Sequence, residues 1–310
     1  MLTLQPATRP TIYFIGVTTG SSSIMRVFPK WAEALGLDAI ITGIDLVPHS
    51  SVAEYREAVE FIKNDPLSMG ALVTTHKIDL YNACKDLFEF LDPYAVQLGE
   101  ISCISKQGAK LCGHAKDPIS SGLALQRFVP KNFWSERNGE VLLLGAGGAS
   151  LAMALYFCKN AGEDIPRKIT IANRSKARLD SARQILSGLN DRIEVEFVLN
   201  PTAEDNDKTL SEMSDYSLIV NGTGLGKDAP GSPITDAASF PTGSLVWEIN
   251  YRGDLLIMAQ AKAQQAERKL VVEDGWVYFI HGWTQVVAEV FHIDDIAGRV
   301  DELSIIARNA

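Results

Sequence analysis

The stretch VLLLGAGGAS, Val141–Ser150, decides the fold. Its four apolar residues read as a buried strand, the next six as a glycine-rich turn, and the LAMALYF that follows as the body of a helix. In that context Gly145 permits the tight turn and Gly147 lets the backbone approach a pyrophosphate. Free N–H groups at the helix start then face the phosphates. The third glycine of a GxGxxG pattern is here Ser150, which is small enough for close packing. Gly145, Ala146, Gly147, Gly148 and Ala149 are therefore expected to cradle a dinucleotide.

The next strand, KITIANR, distinguishes two cofactors. An NAD site places an acidic residue at the end of this strand to hold the ribose 2′-OH. No carboxylate stands there. Instead Asn173, Arg174, Ser175, Lys176 and Arg178 cluster. A 2′-phosphate suits a guanidinium fork with a hydroxyl nearby. A purely solvated basic cluster would be poorly placed at a helix N-terminus, which prefers negative charge. NADP is favoured over NAD.

Outward from this point, IEVEFVL, SLIVNGTGLG, LVWEINY and KLVVEDG read as further strands, with helical SKARLDSARQILSGL and LLIMAQAKAQQAE among them. Upstream, TIYFIGV, AIITGIDL and ALVTT alternate with an apolar helix around Trp31, with VAEYREAVEFIKNDP and with KIDLYNACKDLFEFL, which predicts a parallel sheet. Between Gly99 and Asp117 the pattern changes to two short strands around a Gln-Gly turn. Residues from Trp276 onward read as two helices.

At 310 residues the chain is long enough for two cores. A net charge of −9 argues against nucleic acid or an anionic membrane surface as the main partner. No 18-residue apolar run predicts a membrane span. MLTLQPATRP lacks the basic and apolar regions of a signal peptide, so a cytoplasmic location is expected. Cys84, Cys103, Cys112 and Cys158 form no CxxC pair and are expected to be reduced thiols. The five histidines show no HxH or HExxH spacing, so no metal is expected.

ALVTTHK, Ala71–Lys77, is a core strand that delivers a lysine, and Asp117 precedes a helix. Parallel sheets place ligands at such positions. A hydride transferred to or from an alcohol requires a proton carried the other way, and Lys77 and Asp117 are the candidates.

The order of these features resembles the shikimate dehydrogenase family through most of the chain. It runs from a serine pair after the first strand, Ser21 and Ser23, through the lysine and the aspartate to GAGGA, NRSxxR and a final glycine-rich strand. The family's NVTxPHK appears as ALVTTHK and its GxNTDG as GHAKDP, Gly113–Pro118. NGTGLG, with Thr223 and Gly224, resembles the family's segment near the nicotinamide. EINYRGD, with Tyr251, resembles DxxYxP.

The resemblance implies a catalytic Lys77–Asp117 pair. An ordinary lysine titrates near ~10.4 and is a ready proton donor at neutral pH; as a base it would need a pKa lowered by ~3 units. Asp117 is expected to orient Lys77 and fix the substrate hydroxyl, with the final proton carrier left open. Ser21 and Ser23 are expected to hold a substrate carboxylate, with Thr74, Ser102, Tyr251 and Gln285 as further substrate contacts. The departures lie around the same pocket. Ala71, Val73, Ser102, Ala115 and Pro118 replace family residues that are mostly hydrogen-bonding. Lys116 is either a cation beside Asp117 or a solvated loop lysine. Gln285 is the natural match for a late-helix glutamine, although family spacing from Gly275 lands on Gly282.

The expected protein is thus α/β with two domains. Residues 1–122 form an α/β substrate domain, with the C-terminal helices 276–310 packing back on it. Residues 123–275 form a Rossmann-type doubly wound NADP domain. The expected activity is NADP-dependent hydride transfer at a ring hydroxyl or ketone of a small cyclic polyol carboxylate, by a monomer or homodimer. The alternatives are a family member with an altered substrate, such as an aminated shikimate or another polyol, and a non-catalytic NADP or metabolite binder.

Overall fold

A computed structural model of the chain describes every residue except Met1, Thr3, Asn160, Ala161 and Asp228. It comprises two compact units, Met1–Lys116 with Ile280–Ala310, and Asp117–Phe279. The divisions, placed at 122 and 275 by the sequence reading, fall at the start of the helix Asp117–Phe128 and within the helix Trp276–Phe291.

The first unit holds β1 (Thr11–Gly16), β2 (Ile40–Asp45), β3 (Ser68–Val73), β4 (Phe90–Leu91), β5 (Cys103–Gln107) and β6 (Lys110–His114), in the sheet order β2-β1-β3-β5-β6-β4. β1 is buried throughout, as its unbroken TIYFIG run requires of a strand covered on both faces. β1, β2 and β3 are parallel. β5 runs antiparallel to both β3 and β6, so this sheet is mixed rather than parallel throughout. Its core gathers Tyr13, Ile15, Tyr55, Ile62, Val73 and Leu80.

One expected helix is cut short. KIDLYNACKDLFEFL is helical only over Lys77–Cys84; a 3-10 turn follows, and Phe90–Leu91 joins β6 as β4. Ladder bonds from Glu89 N to Leu111 O and from Asp92 N to Gly113 O, with Leu87, Phe88 and Leu91 against the core, outweigh the local helical pattern. The C-terminal segment belongs to this unit. Trp31 Nε1 donates to Leu303 O at 2.8 Å, and the Phe14 and Trp283 rings meet edge to face.

The second unit holds β7 (Val141–Leu144), β8 (Lys168–Asn173), β9 (Glu194–Leu199), β10 (Leu218–Asn221), β11 (Leu245–Glu248) and β12 (Val271–Glu273). All its pairings are parallel, in the order β12-β11-β10-β7-β8-β9. Counted within the unit this is the doubly wound order 3-2-1-4-5-6, read from the β9 edge. Strand order reverses between β7 and β10. Such a switch point opens a crevice at the carboxyl ends of the strands, where GAGGAS and NGTGLG begin. All four cysteines are buried free thiols. Among the described residues no helix is long and apolar enough to cross a membrane.

Candidate functional site

The crevice of the second unit is a cavity of about 480 Å³. Gly145, Ala146 and Gly147 form one wall, and Asn173, Arg174, Ser175 and Arg178 another. Gly222, Thr223 and Leu225 line a third side. Gly148 and Ala149 open the helix Gly148–Lys159 and Gly224 lies in the loop after β10, but none of the three lines the cavity. Among the described residues, two arginines and no carboxylate line it, so this lining favours an anion. Lys176 turns away, to Asp180 at 2.7 Å.

The glycines of the turn do different work. Gly145 has φ 104°, and a Cβ there would meet Gly222 O at 2.8 Å. Only glycine fits that approach. A Cβ at Gly147 would meet nothing nearer than Gly222 O at 3.9 Å. Its missing side chain leaves open space in the cavity wall. Ser150 is buried against Gly222, where an added Cβ would lie 2.3 Å from Ser150 Oγ. Serine thus takes the close-packing role of the third glycine.

Asn200, Thr202, Asn206, Ser232 and Pro233 also line the cavity and were not expected from the sequence. They follow β9 or lie in the long connection between β10 and β11. Their one legible signal is that β9 ends beside β8, so the switch-point rule places its carboxyl end on the same crevice.

In the first unit, Thr74 and Ser102 lie beside the end of β3. Val73 N bonds Ser102 O, Ser102 N bonds His114 O, and Ile101 N bonds Lys77 O. This brings the ends of β3, β5 and β6 side by side, with Thr74 N bonded to Ile15 O at the end of β1. Ser21 lies in the exposed turn beyond β1 and donates its hydroxyl to Thr18 O at 2.9 Å; Ser23 sits at the N-cap of the helix Ile24–Leu35. Ser102 Oγ accepts from Lys116 N at 2.8 Å, which holds the backbone just ahead of Asp117.

Lys77 is the first residue of its helix rather than the last of the strand. Thr75, in the turn between, has φ 47°, the left-handed region that β-branched residues rarely adopt. The family pattern has proline here, whose ring fixes φ near −65°. The turn that delivers Lys77 is therefore shaped differently from one built on proline. His76 is fully buried behind it, with Nδ1 2.9 Å from the Tyr55 hydroxyl. Burial and the Asp79 charge push that phenol up to about 12, so it stays protonated.

Lys116 is not a solvated loop residue. Its ammonium pairs with Glu289 at 2.6 Å and its side chain is 11% exposed. Burial pushes the Glu289 carboxyl up, but the Lys116 hydrogen bond and the charges of His114, Lys116 and His292 outweigh this and hold it below its ordinary value. His114 sits between Glu289 at 3.4 Å and Asp92 at 3.6 Å, and its Nε2 is 2.9 Å from Ser105 Oγ. Gln285, half-buried, lies one turn before Glu289 on the same helix face. A Cβ at Gly282, also on that face, would meet nothing within 4 Å.

Asp117 opens the helix Asp117–Phe128 in the second unit. Tyr251, also in that unit, packs its ring 4.5 Å from Phe279 and 5.7 Å from Trp276.

No protein-family model matches the chain. It is 28% identical over 229 residues to a shikimate dehydrogenase (NADP(+)) of Bacillus cereus, covering 73% of each chain. The sequence likeness is thus to shikimate dehydrogenases, at a distant level of identity. Solved structures extend the likeness of fold to nearly the whole chain. Shikimate 5-dehydrogenase from Thermus thermophilus, in complex with NADP(H) and shikimate, superposes with a TM-score of 0.71 at 20% identity, over 96% of this chain and 98% of that one. Quinate dehydrogenase from Corynebacterium glutamicum, in complex with NAD, gives 0.72 at 17% identity, over 96% and 99%. The likeness of fold thus covers both units, while Ala71, Val73, Ala115 and Pro118 depart from the family pattern.

Proposed function

We propose that the chain is an NADP-dependent oxidoreductase of the shikimate/quinate dehydrogenase type, transferring a hydride between the nicotinamide and a ring hydroxyl or ketone of a cyclic polyol. The observation that carries this is the cavity at the switch point, which among the described residues joins a glycine turn to two arginines and no carboxylate. Its residues fit the cofactor. The open face of Gly147 admits a pyrophosphate, and Arg174 and Arg178 beside Ser175 suit a 2′-phosphate. When bound, NADP supplies or accepts the hydride.

The chain's own residues would supply the rest. Lys77 is assigned the proton carried to or from the substrate oxygen, and Asp117 the orientation of the substrate hydroxyl. Ser102 supports Asp117 indirectly, by fixing Lys116 N. Ser21, Ser23, Thr74, Tyr251 and Gln285 are proposed to touch the substrate. The first unit, with the C-terminal helices, is read as the substrate domain, the second as the NADP domain, and the cytoplasm as the place of action.

A substrate outside shikimate itself is favoured by one feature. Where the family pattern has a neutral threonine, this chain has a lysine held in a half-buried ion pair. A site built with such a pair reads its ligand differently from one built of amides and hydroxyls. The test is a panel of shikimate, quinate, their dehydro forms, amino-substituted analogues and uncharged polyols with NADP or NAD. Reduced-nicotinamide absorbance should change with at least one cyclic polyol and faster with NADP. No change with any of them, although NADP binds, would sink the catalytic reading.

A further inference from the structure

We propose that Glu248 is a positioning residue for the cofactor cavity, acting through Asn221 on the loop that carries Thr223 and Leu225. The inference rests on the reading of that cavity as a dinucleotide site. Glu248 ends β11 and is fully buried. One carboxylate oxygen, Oε2, accepts from Asn221 Nδ2 at 2.5 Å; the other, Oε1, accepts from Asn250 N at 2.8 Å and from Asn250 Nδ2 at 2.6 Å. Asn221, at the end of β10, is thereby turned so that its Oδ1 accepts from Thr223 N at 3.1 Å and from Thr223 Oγ1 at 2.6 Å. Thr223 Oγ1 in turn accepts from Leu225 N at 3.1 Å. Thr223 and Leu225 line the cavity.

The donor and acceptor count explains why a carboxylate stands there. A carboxylate only accepts, so it can hold Asn221 by its Nδ2 and leave Oδ1 for Thr223 while its second oxygen serves Asn250. A glutamine cannot do both. With its oxygen toward the Asn250 donors, its amide nitrogen faces Asn221 Nδ2, donor against donor. Asn221 then gains by flipping, which removes the acceptor from Thr223. Burying a charge is costly, and here it specifies one loop conformation on each side, that of Thr223 and that of Asn250 ahead of Tyr251.

An exchange of the two groups tests this. The full chain is prepared as Glu248→Gln, Asn221→Asp and the double variant. NADP⁺ affinity is measured by calorimetry and protection of the Thr223 and Leu225 amides by hydrogen exchange. In the double variant the new amide at position 248 donates to the new carboxylate at position 221 and keeps its oxygen for Asn250. That carboxylate still accepts from Thr223. Among the described residues, the weak Asn221 Nδ2 to Leu225 O contact, at 3.3 Å, is lost. Each single variant should lose about tenfold or more in NADP⁺ affinity, with faster exchange at both amides, and the double variant should recover most of both. Single variants that bind and exchange like the parent, or a double variant no better than the singles or unfolded, would overturn the proposal. Should a single variant fail to fold, recovery of folding and binding in the double supports it. If the parent binds no NADP⁺, the dinucleotide reading fails by itself, and the exchange data decide whether Glu248 still sets the loop.

Discussion

The Lys116 ammonium lies 2.6 Å from the Glu289 carboxylate, with 11% and 23% of their side chains exposed. The pair ties the residue before Asp117 to the helix that carries Gln285. Glu289→Gln leaves the ammonium without its counter-charge in a half-buried site and should cost about 2 kcal/mol at neutral pH, measured by denaturant unfolding. Because the folded value of Glu289 lies below its ordinary 4.5, the stabilisation is present above about pH 4.5 and disappears as pH falls through the lower folded value. The gap between parent and variant should therefore be flat near neutrality and close only in acid. A gap that closes on raising the pH would refute the assignment.

Gly145 and Gly147 should fail in opposite ways. Alanine at 145 meets Gly222 O and a positive φ, and should cost about 1–3 kcal/mol in unfolding experiments. Alanine at 147 meets no close atom of the protein, so its melting temperature should match the parent's. Its methyl group occupies the approach of the pyrophosphate, so NADP⁺ affinity should drop by about tenfold or more. Equal NADP⁺ affinity in Gly147→Ala and the parent would remove the phosphate from that wall.

Arg174→Ala should weaken NADP⁺ by about 1.5–3 kcal/mol, the usual loss for a hydrogen bond to a charged group, and NAD⁺ far less. Paired titrations with the two cofactors measure the difference. Equal losses would mean that Arg174 does not read the 2′-phosphate.

Thr75 tests the turn before Lys77. Proline, the family's residue, cannot adopt φ 47° and should destabilise the chain by about 3 kcal/mol or more. Glycine should stay within about 1 kcal/mol of the parent, since relief of the left-handed strain offsets its added chain entropy. A stable, fully folded Thr75→Pro would show that the turn has the family's ordinary shape.

What the sequence disclosed was local. GAGGAS and ANRS each occupy consecutive positions at a strand end; Gly145, Ala146 and Gly147 of the first and all four residues of the second line the cavity. Ser150 could be judged by size alone. The helical reading of Phe90–Leu91 failed because its deciding partner, β6, lies about twenty residues on, and no local pattern reports a ladder. Lys116 was ambiguous for the same reason, since Glu289 is 173 residues away. Asn200 and Ser232 reach the cavity only through the order of strands, which periodicity does not encode. Asn221, Glu248 and Asn250 lie in NGTGLG and EINYRGD, whose resemblance marks the two segments but not the hydrogen bonds among the three residues.

The most direct measurement of the central claim is Lys77→Ala, assayed for turnover of whichever polyol the panel selects, beside NADP⁺ titration of the same sample. Turnover should fall by about 10²–10⁴ while NADP⁺ affinity stays at the parent's value. Turnover within a few-fold of the parent would show that Lys77 carries no proton in the reaction, and loss of folding or of NADP⁺ affinity with it would show the lysine to be structural.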